Sequence, residues 1–326
     1  MSILGKRTRL RGRVAVVCGG SRGLGLAVAR ELADKGCKVA LCARTQSDVD
    51  AACTELAREH AAVVYGEAVD LRDRDHVNRF LANVESRLGP VDVLVTSAAT
   101  ISVAPIEALD VRDFDQAWSD IFKTALHASL GVLPSMRARG HGTIAFITSI
   151  GGKIGVPHLA PYCAAKFAEV GFAQALRAEI AKDGIRVLTV VPGLMRTGSP
   201  LRATFGGDAE KEFTWFAASA NAPLISIRPD RAARRIVHAI ERGAHELTYT
   251  PEARIASRLH DVTPTLFDLF LALAARALPR ARPARDARPR KLEGAEVERS
   301  SSSRTVRAVS ARNRPFADRF GQMPRG

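Results

Sequence analysis

No run of about 18 apolar residues occurs anywhere in the 326-residue chain, which excludes a helix that spans a bilayer. The basic start, "MSILGKRTRLRGR", lacks the apolar core of a secretory signal and is expected to be a short arm, 1–12, leading into the first strand. The five cysteines, Cys18, Cys37, Cys42, Cys53 and Cys163, are odd in number and never stand in C-x-x-C spacing. A disulfide scaffold is therefore not expected, and the thiols fit the core of a reduced, intracellular chain. There is no internal repeat, and no metal site is expected.

Acidic residues are in deficit: 34 Asp and Glu against 48 Lys and Arg give a net charge of +14. The excess is unevenly placed, because residues from 279 onward include 13 basic and 5 acidic side chains and so carry more than half of it. With "RARPARDARPRK" and "RSSSSR", this stretch is too polar to bury a core and is expected to be an Arg-rich disordered tail over 280–326. A basic tail attracts nucleic acid, but its aromatics are limited to Phe316 and Phe320 and no nucleic-acid fold is recognisable. Nonspecific electrostatic contact is all that is expected, so no specific nucleic-acid partner is assigned.

What the chain does have is a 46% hydrophobic content, enough for a sizeable core, and apolar runs of strand length at regular intervals. "RVAVVC" (13–18), "KVALCA" (38–43), "AVVYGE" (62–67), "VDVLVT" (91–96), "TIAFITS" (143–149) and "RVLTVV" (186–191) are apolar almost throughout, as strands buried on both faces must be. Segments of helical period lie between them, near 23–35, 47–60, 73–88, 113–137 and 162–182. That alternation predicts an α/β fold with a doubly wound parallel sheet, a Rossmann fold over 13–250. A less regular stretch, 194–227, precedes a helix at 229–243 and a short strand, "ELTYT". A helical extension is expected over 251–279.

The turn after the first strand reads "CGGSRGLG", with Gly19, Gly23 and Gly25 at G-x-x-x-G-x-G spacing. Such a turn lets backbone approach a pyrophosphate while a helix N-terminus supplies unpaired N–H groups, so a dinucleotide site is expected there, Ser21 and Leu24 included. The second strand ends in Ala43 and Arg44, where an acid would otherwise meet a ribose 2′-hydroxyl. A guanidinium matches a phosphate instead, and Arg22 in the loop offers a second, so NADP(H) is favoured over NAD(H). Asp70, just past the third strand, is placed at the adenine edge.

"APYCAAKF" sets Tyr162 four residues before Lys166, on one helix face. A free phenol titrates near pH 10, and a neighbouring ammonium is expected to lower that value toward a working general acid or base. Ser149, thirteen residues before Tyr162 at the end of the fifth strand, can hydrogen-bond a substrate carbonyl. Open α/β sheets bind ligands beyond such strand ends.

With these residues in view, roughly 12–250 resembles the short-chain dehydrogenase/reductase family, through the glycine loop, the Ser149, Tyr162 and Lys166 set, and "VPGLMRT" (191–197). The resemblance implies carbonyl and alcohol interconversion by hydride transfer, and dimers or tetramers built through two long helices. By the same likeness, Lys166 holds the nicotinamide ribose, Pro192 and Gly193 border the nicotinamide, and Thr197 bonds its carboxamide. Two departures stand out. Thr96, Ser97, Ala98 and Ala99 replace the family's "NNAG", with Ala98 still expected beside the cofactor, and Ile121 falls where the family has a mid-helix asparagine associated with a relay water.

Two functions follow: an NADP(H)-dependent oxidoreductase, or a dinucleotide-binding module that has lost efficient catalysis. In the first, 194–227 is a substrate lid whose Phe205, Phe213, Trp215 and Phe216 suit an apolar substrate, although they can equally be packing. The stripe of Val262, Leu266, Leu269, Phe270, Leu273 and Leu278 is expected to pack on its own domain or a subunit, with peripheral membrane contact, aided by the basic tail, as the alternative. A cytoplasmic location is expected.

Overall fold

The structure, a computed structural model, describes residues 8–222, 226–280 and 290–323. Its chain runs β1 (Val14–Cys18), α1 (Gly23–Asp34), β2 (Lys38–Ala43), α2 (Gln46–His60), β3 (Val64–Ala68), α3 (Arg74–Leu88) and β4 (Val91–Thr96). After a two-residue β5 (Ser102–Val103), α4 (Val111–Ala117), a π turn (Trp118–Lys123) and α5 (Thr124–Arg139) continue one another up to β6 (Gly142–Ile147). α6 (Ala160–Ile180) and β7 (Ile185–Val191) follow.

The sheet order is β3-β2-β1-β4-β6-β7 with the later β11 (Glu246–Thr248) at the edge, all seven strands parallel. The reason these strands are apolar at every position is visible in their two faces. Ala15, Val17, Val39, Leu41, Val93, Val95, Leu188 and Val190 pack under α1, α2 and the later α9 (Pro229–Arg242). Their neighbours Val14, Val16, Cys18, Ala40, Leu94, Ile144, Phe146 and Val187 pack under α3, α5 and α6. Each fully buried Val, Leu or Ile stabilises the fold by roughly 1.5–3 kcal/mol. The doubly wound fold expected above is the fold observed, and all five cysteines are free.

Helix ends match their sequence signals. Asp73 caps α3 by accepting from the Asp75 and His76 N–H groups, and Gly140 ends α5 in the left-handed region at φ +68°. α1 is different: its N-cap, Arg22, makes no side-chain cap bond and its first turn holds no acid. No side chain of the loop closes that end, which faces the crevice beyond the sheet with the Gly23 N–H bonded to the Phe320 carbonyl.

The segment after β7 is more ordered than its sequence suggests, with β8 (Leu194–Met195), α7 (Ser199–Arg202), β9 (Thr204–Phe205), α8 (Ala209–Ala220) and β10 (Ser226–Ile227) preceding α9 (Pro229–Arg242). Past β11, α10 (Pro251–Val262) and α11 (Pro264–Ala275) form a hairpin. The expected stripe does not pack on the domain: Leu266, Leu269, Phe270 and Leu273 are all exposed, and Phe267 alone of α11 is buried.

The expectation of a disordered tail fails for 290–323. These residues form β12 (Leu292–Glu293), α12 (Gly294–Ser300) and α13 (Arg304–Arg319), while 281–289 lie outside the described residues. β12 pairs antiparallel with β9, and β9 pairs with β5. Val297, Val306 and Ala317 are buried against Leu201, Phe205, Phe213 and Phe216, and Phe320 reaches the core beneath α1. Composition hid a helical stripe: Val306, Ser310, Asn313 and Ala317 recur at spacings of three and four, and all are buried.

Candidate active site

A cavity of about 850 Å³ opens beyond the C-terminal ends of β1, β4, β6 and β7, where an open α/β sheet binds its ligands. Gly19, Ser21, Arg22, Gly23, Leu24 and Gly25 form its floor at one end. Gly19 has φ +78°, and a Cβ there would lie 2.7 Å from the backbone nitrogen of Ala98. A Cβ on Gly25 would lie 2.1 Å from the Gly19 carbonyl oxygen. The loop is thus a bare-backbone cradle at the N-terminal end of α1, and it fits a pyrophosphate.

Arg44, Arg22 and Asp70 line the same end. Burial lowers the Arg22 pKa, and the nearby Arg202 and Arg44 charges push it the same way, although Asp48 at 3.9 Å partly offsets them. Three guanidiniums crowd one niche, their repulsion offset only in part by Asp48 and Glu293. Asp70 is gripped by Arg72, with Nη2 at 2.7 Å, which draws its carboxyl down to about 2. Arg202 and Arg72 could not be read from motif spacing, because their sequence neighbours carry no signal for this niche.

At the reacting end, Ser149 lies two residues past β6 and accepts from the Gly151 N–H at 3.1 Å, and Tyr162 and Lys166 descend from the first turns of α6. All three line the cavity. Lys166 is only 2% exposed; its Nζ donates to the Ile147 carbonyl at 2.8 Å and to Glu169 Oε2 at 2.7 Å. Glu169 is equally buried, and its pKa is raised by that burial despite Lys166.

The expected lowering of the Tyr162 pKa is not the net result. Burial raises it, and this outweighs the downward pull of Lys166 and Ser149. The neighbours Cys163 and Glu169 push it the same way as burial. Ile121, fully buried, packs with Ala117, Ala165 and Tyr162 as an apolar wall, and Glu169 offsets the Lys166 charge. Glu169 escaped notice in the sequence because a carboxylate three residues after a lysine is an ordinary helical pair.

Pro192, Gly193 and Thr197 border the cavity from the β7 side, where Pro192 accepts from the Ile150 N–H at 2.8 Å and Thr197 donates to Ser199 Oγ at 2.7 Å. The aromatics of 194–227 divide: Trp215 and Phe216 line the cavity, whereas Phe205 and Phe213 are core. Glu212, fully buried on α8, accepts from Trp215 Nε1 at 2.6 Å and pairs with His158 Nδ1 at 2.9 Å, so the segment is tied to the loop before Tyr162. Three lining residues come from the tail: Lys291, Glu293 and Gln322. Lys291 Nζ bonds Asp113 at 2.5 Å and Ser102 at 2.9 Å.

A family model described as short chain dehydrogenase matches residues 13–203. The chain belongs to that family. A putative ketoacyl reductase of Streptomyces coelicolor is 33% identical over 246 residues, 72% of this chain and 92% of that protein. Among solved structures, L-sorbose reductase from Gluconobacter frateurii, complexed with NADPH and L-sorbose, superposes with a TM-score of 0.65 at 28% identity, covering 73% of this chain and 95% of the other. An actinorhodin polyketide ketoreductase variant with NADPH gives 0.63 at 29%, covering 74% and 97%. As a short-chain dehydrogenase the protein is an oxidoreductase acting on CH–OH or carbonyl groups with a nicotinamide dinucleotide. Among the described residues, no helix is long and apolar enough to cross a membrane.

Proposed function

We propose that the protein is an NADP(H)-dependent reductase that interconverts a carbonyl and a secondary alcohol on an apolar substrate, with Tyr162 as general acid and base. The observation that carries this reading is the meeting of Ser149, Tyr162 and Lys166 on the cavity that the glycine loop also lines. The rival, a binding module without efficient catalysis, does not account for a phenol set between a hydroxyl and an ammonium.

In this reading the glycine loop and the N-terminal end of α1 hold the pyrophosphate, and Arg22 and Arg44 take the 2′-phosphate, whose charge offsets the repulsion that Asp48 and Glu293 leave in the arginine niche. Asp70 stands at the adenine edge, Lys166 at the nicotinamide ribose, and Ala98, Pro192, Gly193 and Thr197 around the nicotinamide. NADP(H) supplies or accepts the hydride when bound. Ser149 donates to the substrate's carbonyl oxygen and orients it. Tyr162, held as the neutral phenol by burial, gives its proton to that oxygen as negative charge develops there, and Lys166 stabilises the phenolate left behind. Burial of the acid form biases the site toward reduction at neutral pH.

Trp215, Phe216, Ile101, Val156 and Leu159 make the far wall apolar. The ketoacyl and polyketide reductases among the similar proteins support an acyl or polyketide-type ketone. Turnover of such ketones, followed by NADPH absorbance, tests the reading. Tyr162→Phe is expected to slow turnover about 10²–10⁴-fold while leaving cofactor affinity intact; turnover indifferent to that change would overturn it.

Two exposed apolar surfaces suggest partners. Trp118, Leu130 and Phe167 stand out from the π turn, α5 and α6, the long-helix face to which we assign homo-oligomer contact. On the α10–α11 hairpin, Ile255, Leu259, Val262, Leu266, Leu269, Phe270 and Leu273 are each at least half exposed, flanked by the exposed Arg254, Arg258, Arg276 and Arg280. A protein partner covers one stripe of a helix, whereas α11 is apolar around most of its circumference, with Asp268 its one charge and arginines before and after it in the chain, which suits an anionic bilayer surface.

A further inference from the structure

The end of the tail crosses the mouth of the crevice and is bonded to both walls. On the glycine-loop side, the Gly23 N–H donates to the Phe320 carbonyl at 2.7 Å and Arg30 Nη2 donates to the Arg319 carbonyl at 3.0 Å. On the β7 side, the Gly198 N–H donates to Gln322 Oε1 at 2.8 Å, and Arg202 donates to the carbonyls of Gln322 at 3.1 Å and Met323 at 2.7 Å.

The backbone is shaped for this crossing. Gly321, at φ +63°, turns the chain out of α13 into the crevice, a conformation that side chains resist. A Cβ on Gly198 would lie 2.4 Å from the Ala317 Cβ and 2.7 Å from the Gln322 Cβ, so only glycine admits the tail there. Gln322 is 8% exposed and lines the cavity. Its Oε1 is used by Gly198, while its Nε2 lies where a Cβ on Gly23 would be 3.1 Å away and makes no hydrogen bond among the described residues. An amide donor beside the phosphate-binding loop, fixed through its own oxygen, is poised for an anion.

We infer that residues 319–323 are a latch over the cofactor crevice and that Gln322 is a cofactor-binding residue, its Nε2 donating to the dinucleotide's pyrophosphate. This rests on the dinucleotide reading above. With the latch in place the two walls of the crevice are joined, so cofactor exchange requires the tail to peel away first. Release of cofactor is then set by the tail, and the arginine-rich terminus works as part of the site.

The test uses the full chain, NADPH fluorescence titration and stopped-flow release, with melting curves to verify folding. Gln322→Ala is expected to weaken NADPH binding about tenfold, chiefly through faster release, and Gln322→Glu more strongly because a carboxylate faces the pyrophosphate. Gly198→Ala, whose Cβ would collide with Ala317 and the Gln322 Cβ and so displace the tail while leaving the Gln322 amide chemically unchanged, is expected to speed release in the same direction. Amide exchange across 320–323 is expected to slow when NADPH is added. Unchanged affinity and release in all three variants would overturn the latch while leaving the dinucleotide reading intact; failure of the unmodified chain to bind either NADPH or NADH would overturn both.

Discussion

The α10–α11 hairpin and the 290–323 segment both follow the Rossmann core, yet they meet solvent in opposite ways. The hairpin, whose α11 carries Asp268 as its one charge, stands out from the domain with most of its large apolar side chains exposed. The terminal segment, crowded with arginine, buries Val297, Val306, Asn313, Ala317 and Phe320 and places Gln322 and Lys291 in the active-site cavity. The difference lies in placement along the helix. α13 confines its buried positions to one stripe and lets its arginines radiate into water. α11 has no polar side to turn outward, so packing on α10 covers only part of it. A segment's fate depends on whether a complementary surface exists, and only the tail finds one, in the groove between α7 and α8.

Substitutions that treat the two segments alike measure this contrast. The largest effect is expected for Phe320→Ala, which empties a buried site and should cost about 3–5 kcal/mol, whereas Phe270→Ala on the hairpin should stay within about 0.5 kcal/mol. Comparable melting shifts for the two would erase the distinction. Next comes the niche beside the tail: Arg44→Asp is expected to move the NADPH-to-NADH affinity ratio by about 10–100-fold toward NADH, with Phe270→Asp as a control that leaves the ratio alone. A ratio unmoved by Arg44→Asp would detach the arginines from the cofactor.

The pH profile gives a graded effect. Because burial raises the Tyr162 pKa, the proton-donating form persists through neutrality and is lost only as the solution becomes strongly alkaline. Ketone reduction should therefore be level around neutral pH, while alcohol oxidation, which needs the phenolate, should climb by about tenfold per pH unit below that pKa. Oxidation that levels off near pH 7 would mean that Lys166 prevails over burial. Smallest in its effect on turnover, Leu269→Asp with Phe270→Asp should keep kcat/KM within about twofold yet abolish flotation with anionic vesicles. Flotation that survives this pair would remove the bilayer assignment and leave the hairpin to a protein partner.

Much of the site was legible because its residues are local in sequence. A glycine loop is three close glycines, and the Tyr162–Lys166 pair is one helical turn. Arg202, Lys291 and Gln322 were not legible, since each reaches the cavity only through a long-range approach; Glu169 was hidden as an ordinary helical neighbour of Lys166, and Ile121 could be flagged as a departure without revealing that it walls the phenol. The sign of the Tyr162 shift was misjudged for the same reason. A neighbouring cation is visible in a four-residue spacing, but burial is a sum over distant neighbours.

By itself the sequence determined the parallel sheet, because strands buried on two faces must be apolar throughout, and it determined the phosphate cradle, because only glycine allows backbone so close. The tertiary structure alone decided which helical stripes find a partner, how strongly Tyr162 is desolvated, and that an arginine-rich terminus returns across the crevice. Those outcomes depend on surfaces brought together from opposite ends of the chain, and no local pattern encodes whether such surfaces fit.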